Sequence, residues 1–318
     1  MALERIGRAL RKNKLPYYAL NLLRQLLPRA LHQKRLHHKL QSIKHYNKAE
    51  VLDRVNYYNK LTENTALGAE AVVLKDMPVF KSPKAYGFDT FEYTRYFKET
   101  LKACFLFGDV IHVPEVPTLQ KSRPINGNNA NAILLKLDKK RHFVFVKDGK
   151  PFNAKKDMLI GRSAVNQPHR VKFMEMYFGN TLCNLGQVNT NGGRAEWIKP
   201  KLSISAHLNY KFILSLEGYD VATNLKWIMS SNSIAVMPKP TYETWFMEGR
   251  LMPNVHYIEI KADYSDLEDR LKYYIAHPHE AEAIVKNANV YVKQFQNKQK
   301  EDLISLMVLQ KYFDCTRQ

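Results

Sequence analysis

The sequence predicts an α/β protein built from parallel strands with helices on both faces of the sheet. From Met158 onwards, apolar runs of strand length alternate with longer stretches at helical spacing. Within them, Tyr210–Trp227 reads as a buried strand, a turn centred on Gly218 and the start of a helix. A second apolar strand, Ser233–Pro238, follows after about one helix's length and completes a βαβ unit. A strand–glycine–helix junction can offer backbone N–H groups to an anion, although it is also an ordinary packing feature.

The elements follow in order. Lys48–Leu61 has helical spacing, Ala71–Leu74 is a short strand, and the aromatic-rich stretch 85–103 carries a helix towards its end. Cys104–Val110 reads as a strand ending in a turn at Gly108-Asp109; Ile133–Leu137 and His142–Val146 are further strands, separated from it by the Asn126–Asn129 loop. Next come strands at Met158–Ile160 and Leu182–Leu185 flanking a helix over Arg170–Phe178, then the βαβ run and a strand at His256–Ile260. Ser265-Asp266-Leu267-Glu268 has the form of a capping box. Helices over 278–295 and 300–313 close the chain, and the turn-like Lys147–Pro151 divides two domains. The expected organisation is a basic arm over 1–47, a first Rossmann-like domain over 48–150, a second over 151–295 and a terminal helix over 296–318.

With 318 residues and 45% hydrophobic content, the chain can fill two cores. Cys104, Cys183 and Cys315 are widely spaced with no Cys-x-x-Cys, which suggests neither a disulfide framework nor a structural zinc site and fits a reducing compartment. No run reaches the roughly 18 to 20 apolar residues of a membrane span. The net charge of +19 is concentrated at the start, where residues 1–45 hold eleven Lys or Arg against Glu4 alone. Leu20, Leu23, Leu27 and Leu31 keep helical spacing within that segment. Such a basic amphipathic helix suits an anionic membrane face, or packs on the protein with its basic side in water.

The βαβ run gives the first candidate site. Gly218 permits a tight turn, Ala222, Thr223 and Asn224 leave room for a diphosphate, and Lys226 adds a charge one turn into the helix. Neither a Walker A loop nor Gly-x-Gly-x-x-Gly is present. The pairs His37-His38 and His277/His279 lack the carboxylates of a metal constellation.

Tyr210–Met237, with Tyr242-Glu243-Thr244-Trp245, Val255–Ile258 and Asp263–Leu267, resembles the donor domain of glycosyltransferase family 90. This CAP10-like family includes protein O-glucosyltransferases and bacterial lipopolysaccharide A proteins. Phe107–Val110, Lys121–Ile125, Gly161–Ser163 and Gln167–Arg170 resemble the bacterial branch in particular. The resemblance implies a GT-B architecture, two Rossmann-type domains facing a cleft, and inverting transfer of glucose or galactose from UDP-glucose or UDP-galactose to an inner-core sugar of lipopolysaccharide such as heptose. No Asp-x-Asp occurs in the chain, which favours a reaction needing no metal or other cofactor.

Residue by residue, the resemblance makes Arg162 the leading diphosphate ligand, with Arg170 as a second cation; Asn224 stands where eukaryotic members carry a further arginine. Asp109 is the expected base, with Glu115 in reserve and His112 a weaker candidate. Lys121 and Arg123 suit an acceptor bearing phosphates or carboxylates, and Tyr242, Glu243 and Trp245 suit the donor sugar. The expected location is the cytoplasmic face of the bacterial inner membrane, docked through residues 1–45, with no nucleic acid partner. The competing reading is a non-catalytic protein of the same fold that binds an anionic surface or nucleic acid.

Overall fold

The computed structural model describes residues 15–80 and 84–316. Its helices are α1 (Leu15–Leu26), α2 (Arg29–Gln41), α3 (Lys48–Tyr58), α4 (Lys84–Thr94), α5 (Lys139–His142), α6 (Pro168–Tyr177), α7 (Ile204–His207), α8 (Leu225–Met229), α9 (Leu267–Ala276), α10 (Pro278–Lys293) and α11 (Lys298–Cys315). The strands are β1 (Val72–Val73), β2 (Lys102–Leu106), β3 (Thr118–Gln120), β4 (Ser122–Pro124), β5 (Ala132–Leu134), β6 (Lys156–Ser163), β7 (Cys183–Gln187), β8 (Tyr210–Leu214), β9 (Ile234–Met237), β10 (Tyr242–Thr244) and β11 (Ile258–Glu259).

A five-stranded parallel sheet, ordered β11-β9-β8-β6-β7, forms the second half. All five residues of β8 are buried, as expected of a parallel strand covered on both faces. Phe212 joins a core with Leu159, Phe173, Leu271 and Ile284 on one face, while Ile213 joins Ile160, Trp245 and Leu309 on the other. This alternation follows from the two-residue side-chain period of a strand. The chain enters the sheet at β6, steps to β7 and then returns across β6 to β8. The switch point therefore lies at the carboxyl ends of β6 and β8, where ligands bind in open α/β sheets.

The first half carries a four-stranded sheet ordered β1-β2-β3-β5, parallel except at the β1–β2 pair. Helix α11 returns to this half. Its Asp302 accepts from the Tyr93 hydroxyl at 2.9 Å, and the Val308 carbonyl accepts from Asn59 at 3.2 Å. The buried Glu301 carboxylate accepts from Trp245 Nε1 at 2.7 Å and pairs with Arg54 and Lys136. A two-stranded antiparallel ribbon, β4 with β10, sets Arg123 opposite Glu243 and so ties the two halves together.

Several local expectations are corrected. His142–Val146 is not a strand: α5 occupies its start, and Phe143–Val146 runs on unpaired as apolar packing against the first core. The capping box does not close, because Ser265 bonds to Asp263 and Asp266 accepts from the Lys261 N–H. The Gly218 segment is not a short turn into a helix. Residues 215–224 form a loop, α8 has five residues, and Gly218 lies outside the left-handed region.

The basic arm is the least conventional element. Helix α1 rests on α4 through polar groups: the Tyr17 hydroxyl donates to Asp89 at 2.8 Å, and Arg24 pairs with Glu92 at 2.8 Å. Leu20, Leu22, Leu23, Leu26, Leu27 and Leu31 face outwards, with Leu26 77% exposed. This inverts the packed-helix alternative, in which the leucines would be covered. Arg5, Arg8, Arg11, Lys12 and Lys14 lie outside the described residues.

Candidate active site

Two cavities open at the switch point. The smaller, about 200 Å³, is lined by Gly161, Arg162, Arg170, Thr223 and Asn224. The larger, about 540 Å³, includes His169, Gly218, Ala222, Tyr242 and Tyr264, and Leu216 borders both. The resemblance-derived donor residues therefore divide between adjoining hollows. Lys226 and Glu243 line neither.

Arg162 follows the glycine of β6 and bends back over the sheet end. It donates to the Gly161 and Asn184 carbonyls, both at 2.8 Å, and to Asn184 Oδ1 at 2.9 Å. Its Nε is buried with no hydrogen-bond partner among the described residues. Gly186 makes this path possible, since a Cβ there would stand 2.7 Å from Lys199 Cβ and 3.0 Å from Arg162 Nε. Arg170, on the first turn of α6, donates to the Glu217, Ala164 and Leu216 carbonyls, each at 2.9 Å. Burial lowers the pKa of both guanidinium groups, and among the described residues no carboxylate offsets that cost. Two cations surrounded by carbonyls in a small hollow form an electropositive pocket suited to a diphosphate.

The neighbouring loop is held by Asn224, one of the candidate donor residues, and by Glu217, which was not a candidate. Asn224 donates to the Leu214 carbonyl at 2.9 Å and accepts from Ser215 at 3.0 Å, folding the loop onto the end of β8. Glu217 accepts from the Thr241 N–H at 2.8 Å, the Thr241 hydroxyl at 2.6 Å and the Tyr242 N–H at 3.2 Å. Tyr264 presents an aromatic wall from a left-handed conformation, φ 71°, which a bulky residue adopts only when its surroundings enforce it.

Asp109 follows Gly108, whose φ of 128° requires glycine at the turn. Its side chain is 26% exposed and opens into a third cavity of about 830 Å³. Burial pushes the Asp109 carboxyl up, but the hydrogen bond and charge of Lys121, with Arg141 and Tyr86 adding, hold it below the usual carboxylate range. It is therefore ionised at neutral pH and able to accept a proton. Lys121 is 1% exposed and bonds both Asp109 and Asp220, the latter at 2.7 Å. Asp220 also accepts from Ser122 at 2.6 Å, and its neighbours Tyr219 and Val221 line the 540 Å³ cavity. An ion chain thus links the aspartate to the donor-side loop. Asp220 had no motif to mark it; only folding brings it to Lys121.

Other assigned roles do not survive burial. Arg123, fully buried, donates to Glu243 at 2.8 Å, the Ala132 carbonyl at 3.0 Å and the Tyr57 carbonyl at 2.7 Å, so it cannot meet an acceptor. Glu243 is consumed by Arg123 and the Tyr57 hydroxyl. Lys226 is fully buried against Glu248 at 2.5 Å, and Trp245 stacks on Tyr58 in the core with ring centroids 3.8 Å apart. Lys121 belongs to the ion chain rather than to an open acceptor surface. Glu115 and His112 are exposed and line none of the three cavities. Among the described residues, no three His, Cys, Asp or Glu side chains converge as a metal site.

Residues 139–315, which contain the five-stranded sheet and the arginine pocket, match the family model described as glycosyl transferase family 90. The chain is also similar to an O-glucosyltransferase, LpsA, of Dichelobacter nodosus. The two are 43% identical over 266 residues, covering 84% of this chain and 83% of that protein. A parallel α/β sheet with paired cations at its switch point, and sequence similarity running across both halves, lead to one assignment: the chain belongs to glycosyl transferase family 90.

Proposed function

We propose that the protein is an inverting, metal-independent hexosyltransferase of GT-B architecture. It moves glucose or galactose from the UDP-sugar to an inner-core sugar of lipopolysaccharide, with heptose the favoured acceptor. The name of the Dichelobacter nodosus relative favours glucose. The observation that carries the reading is the pair Arg162 and Arg170, two cations without carboxylate partners among the described residues, beside the 540 Å³ cavity, together with an ionised Asp109 joined to the same loop through Lys121 and Asp220.

In this mechanism the nucleoside occupies the larger cavity and the diphosphate the arginine pocket. Asp109 takes the proton of the acceptor hydroxyl as that oxygen attacks the anomeric carbon. The bond from that carbon to the diphosphate oxygen breaks on the opposite face, and UDP leaves with the electron pair. Arg162 and Arg170 stabilise the growing negative charge in place of a divalent metal. The return of α11 to the first half supports a two-domain cleft, because it fixes one half against the other.

The outward leucines of α1, with Lys34 and Arg35 exposed on the following helix α2, support docking to the anionic cytoplasmic face of the inner membrane, where a lipid-anchored acceptor is found. The decisive experiment assays Asp109→Asn with UDP-glucose and truncated lipopolysaccharide. Transfer falls by at least about 100-fold, while UDP still raises the melting temperature. Undiminished transfer would remove Asp109 from the mechanism.

A further inference from the structure

We propose that the acceptor is an anionic saccharide whose phosphate or carboxylate is held by Lys84, Lys140 and Arg141 in the 830 Å³ cavity beside Asp109, with helix α1 forming a wall of that site. The inference rests on the transferase reading above and gives its acceptor's anionic group a binding site. It also moves acceptor recognition away from Lys121 and Arg123, which are buried and already paired.

The cavity is lined by Tyr17 and Tyr18 from α1, Lys84 and Tyr86 from α4, and Gly108, Asp109, Asp138, Lys140 and Arg141. Its carboxylates are already engaged. Asp109 bonds Lys121, and Asp138 lies 3.6 Å from Arg141 Nη1. Lys84 and Lys140 have no ion-pair partner among the described residues, so the mouth of the cavity carries uncompensated positive charge. Tyr17 and Tyr18 meet edge to face, with centroids 5.4 Å apart, and Tyr17 is anchored by its hydrogen bond to Asp89. Aromatic faces next to ammonium groups match a sugar ring carrying an anionic substituent. A Cβ at Gly108 would have no neighbour within 4 Å, so the approach to Asp109 is unobstructed at that point. The arm therefore has two working sides, leucines outwards and tyrosines towards the cavity.

Direct binding tests this without relying on catalysis. The full chain is titrated calorimetrically with deacylated core oligosaccharide from truncated lipopolysaccharide, as isolated, after dephosphorylation, and after carboxyl reduction. At least one neutralised form binds about tenfold more weakly, the loss of roughly one charge-assisted contact; which one identifies the anion. Lys84→Ala/Lys140→Ala lowers affinity for the native oligosaccharide to a similar degree and shrinks the difference between charged and neutralised forms. The Lys→Arg pair restores it, and stabilisation by UDP reports that each variant is folded. Equal affinity for all three oligosaccharides, or a double alanine variant that still discriminates among them, overturns the proposal. Because sugar transfer is not the readout, discriminating binding without transfer supports this site and counts against the transferase reading alone.

Discussion

Lys121 Nζ lies 2.7 Å from Asp220 Oδ2 while also bonding Asp109, so one buried ammonium joins carboxylates 111 positions apart in the chain. In the proposed reaction Lys121 is thus a positioning residue. It orients Asp109 and holds its pKa down, at the cost of making it a weaker base.

Replacing Lys121 by Met removes the main group lowering the Asp109 pKa. That pKa rises, so the acidic limb of the kcat/KM profile moves to higher pH, by on the order of one unit for loss of a close opposite charge. A pH–rate series on both proteins checks this. A limb that stays in place, or moves to lower pH, contradicts it.

Glu243→Ala strands the Arg123 guanidinium in the ribbon that ties the two halves together. Breaking a buried pair by removing one partner costs about 3–5 kcal/mol. Urea unfolding should show that loss as a lower midpoint. A variant within about 1 kcal/mol of the parent would mean that water or the carbonyls of Tyr57 and Ala132 satisfy Arg123 unaided.

Burial lowers the pKa of His32, His142, His207 and His256, and nearby Lys226, Lys121 and Arg141 lower that of His142 further. Each is neutral in the fold and takes up a proton on unfolding near its ordinary pKa of about 6.5. The unfolded state then binds more protons, so stability falls as pH drops below that value, by at most about 1.4 kcal/mol per pH unit for each histidine between its folded and unfolded pKa. Denaturation midpoints at pH 7.5 and 5.5 measure the slope. His142→Gln should flatten it, and an unchanged slope would place the titration elsewhere.

The leucine face of α1 makes a separate prediction. Leu23→Ser/Leu26→Ser/Leu27→Ser leaves the contacts of Tyr17 and Arg24 intact, yet should weaken partitioning onto phosphatidylglycerol vesicles by about 1000-fold or more, because three inserted leucines at roughly 1.5–3 kcal/mol each contribute at least about 4.5 kcal/mol. Equal sedimentation of the two proteins would exclude this face from docking.

By itself, the sequence determined the parallel α/β class and the strands from β6 to β11 other than β10, and the family resemblance singled out Arg162, which the fold places in the small hollow at the switch point. The class and the strands depend on local information: side-chain period and apolar runs of strand length. The short strands β3, β4 and β10 were not legible, because two or three residues carry too little periodicity to stand out from a loop.

Burial was likewise decided only by tertiary structure. Lys121, Arg123, Lys226 and Glu243 look like surface or site charges in one dimension, since charged residues are rarely fully buried unless paired. Their partners Asp220, Tyr57 and Glu248 lie far along the chain or carry no motif. The structure turns these charges into internal supports and leaves Arg162, Arg170, Lys84 and Lys140 as cations without carboxylate partners among the described residues. It also turns the amphipathic arm over, because hydrogen bonds from Tyr17 and Arg24 to buried carboxylates hold its polar side inward and leave the leucines outside.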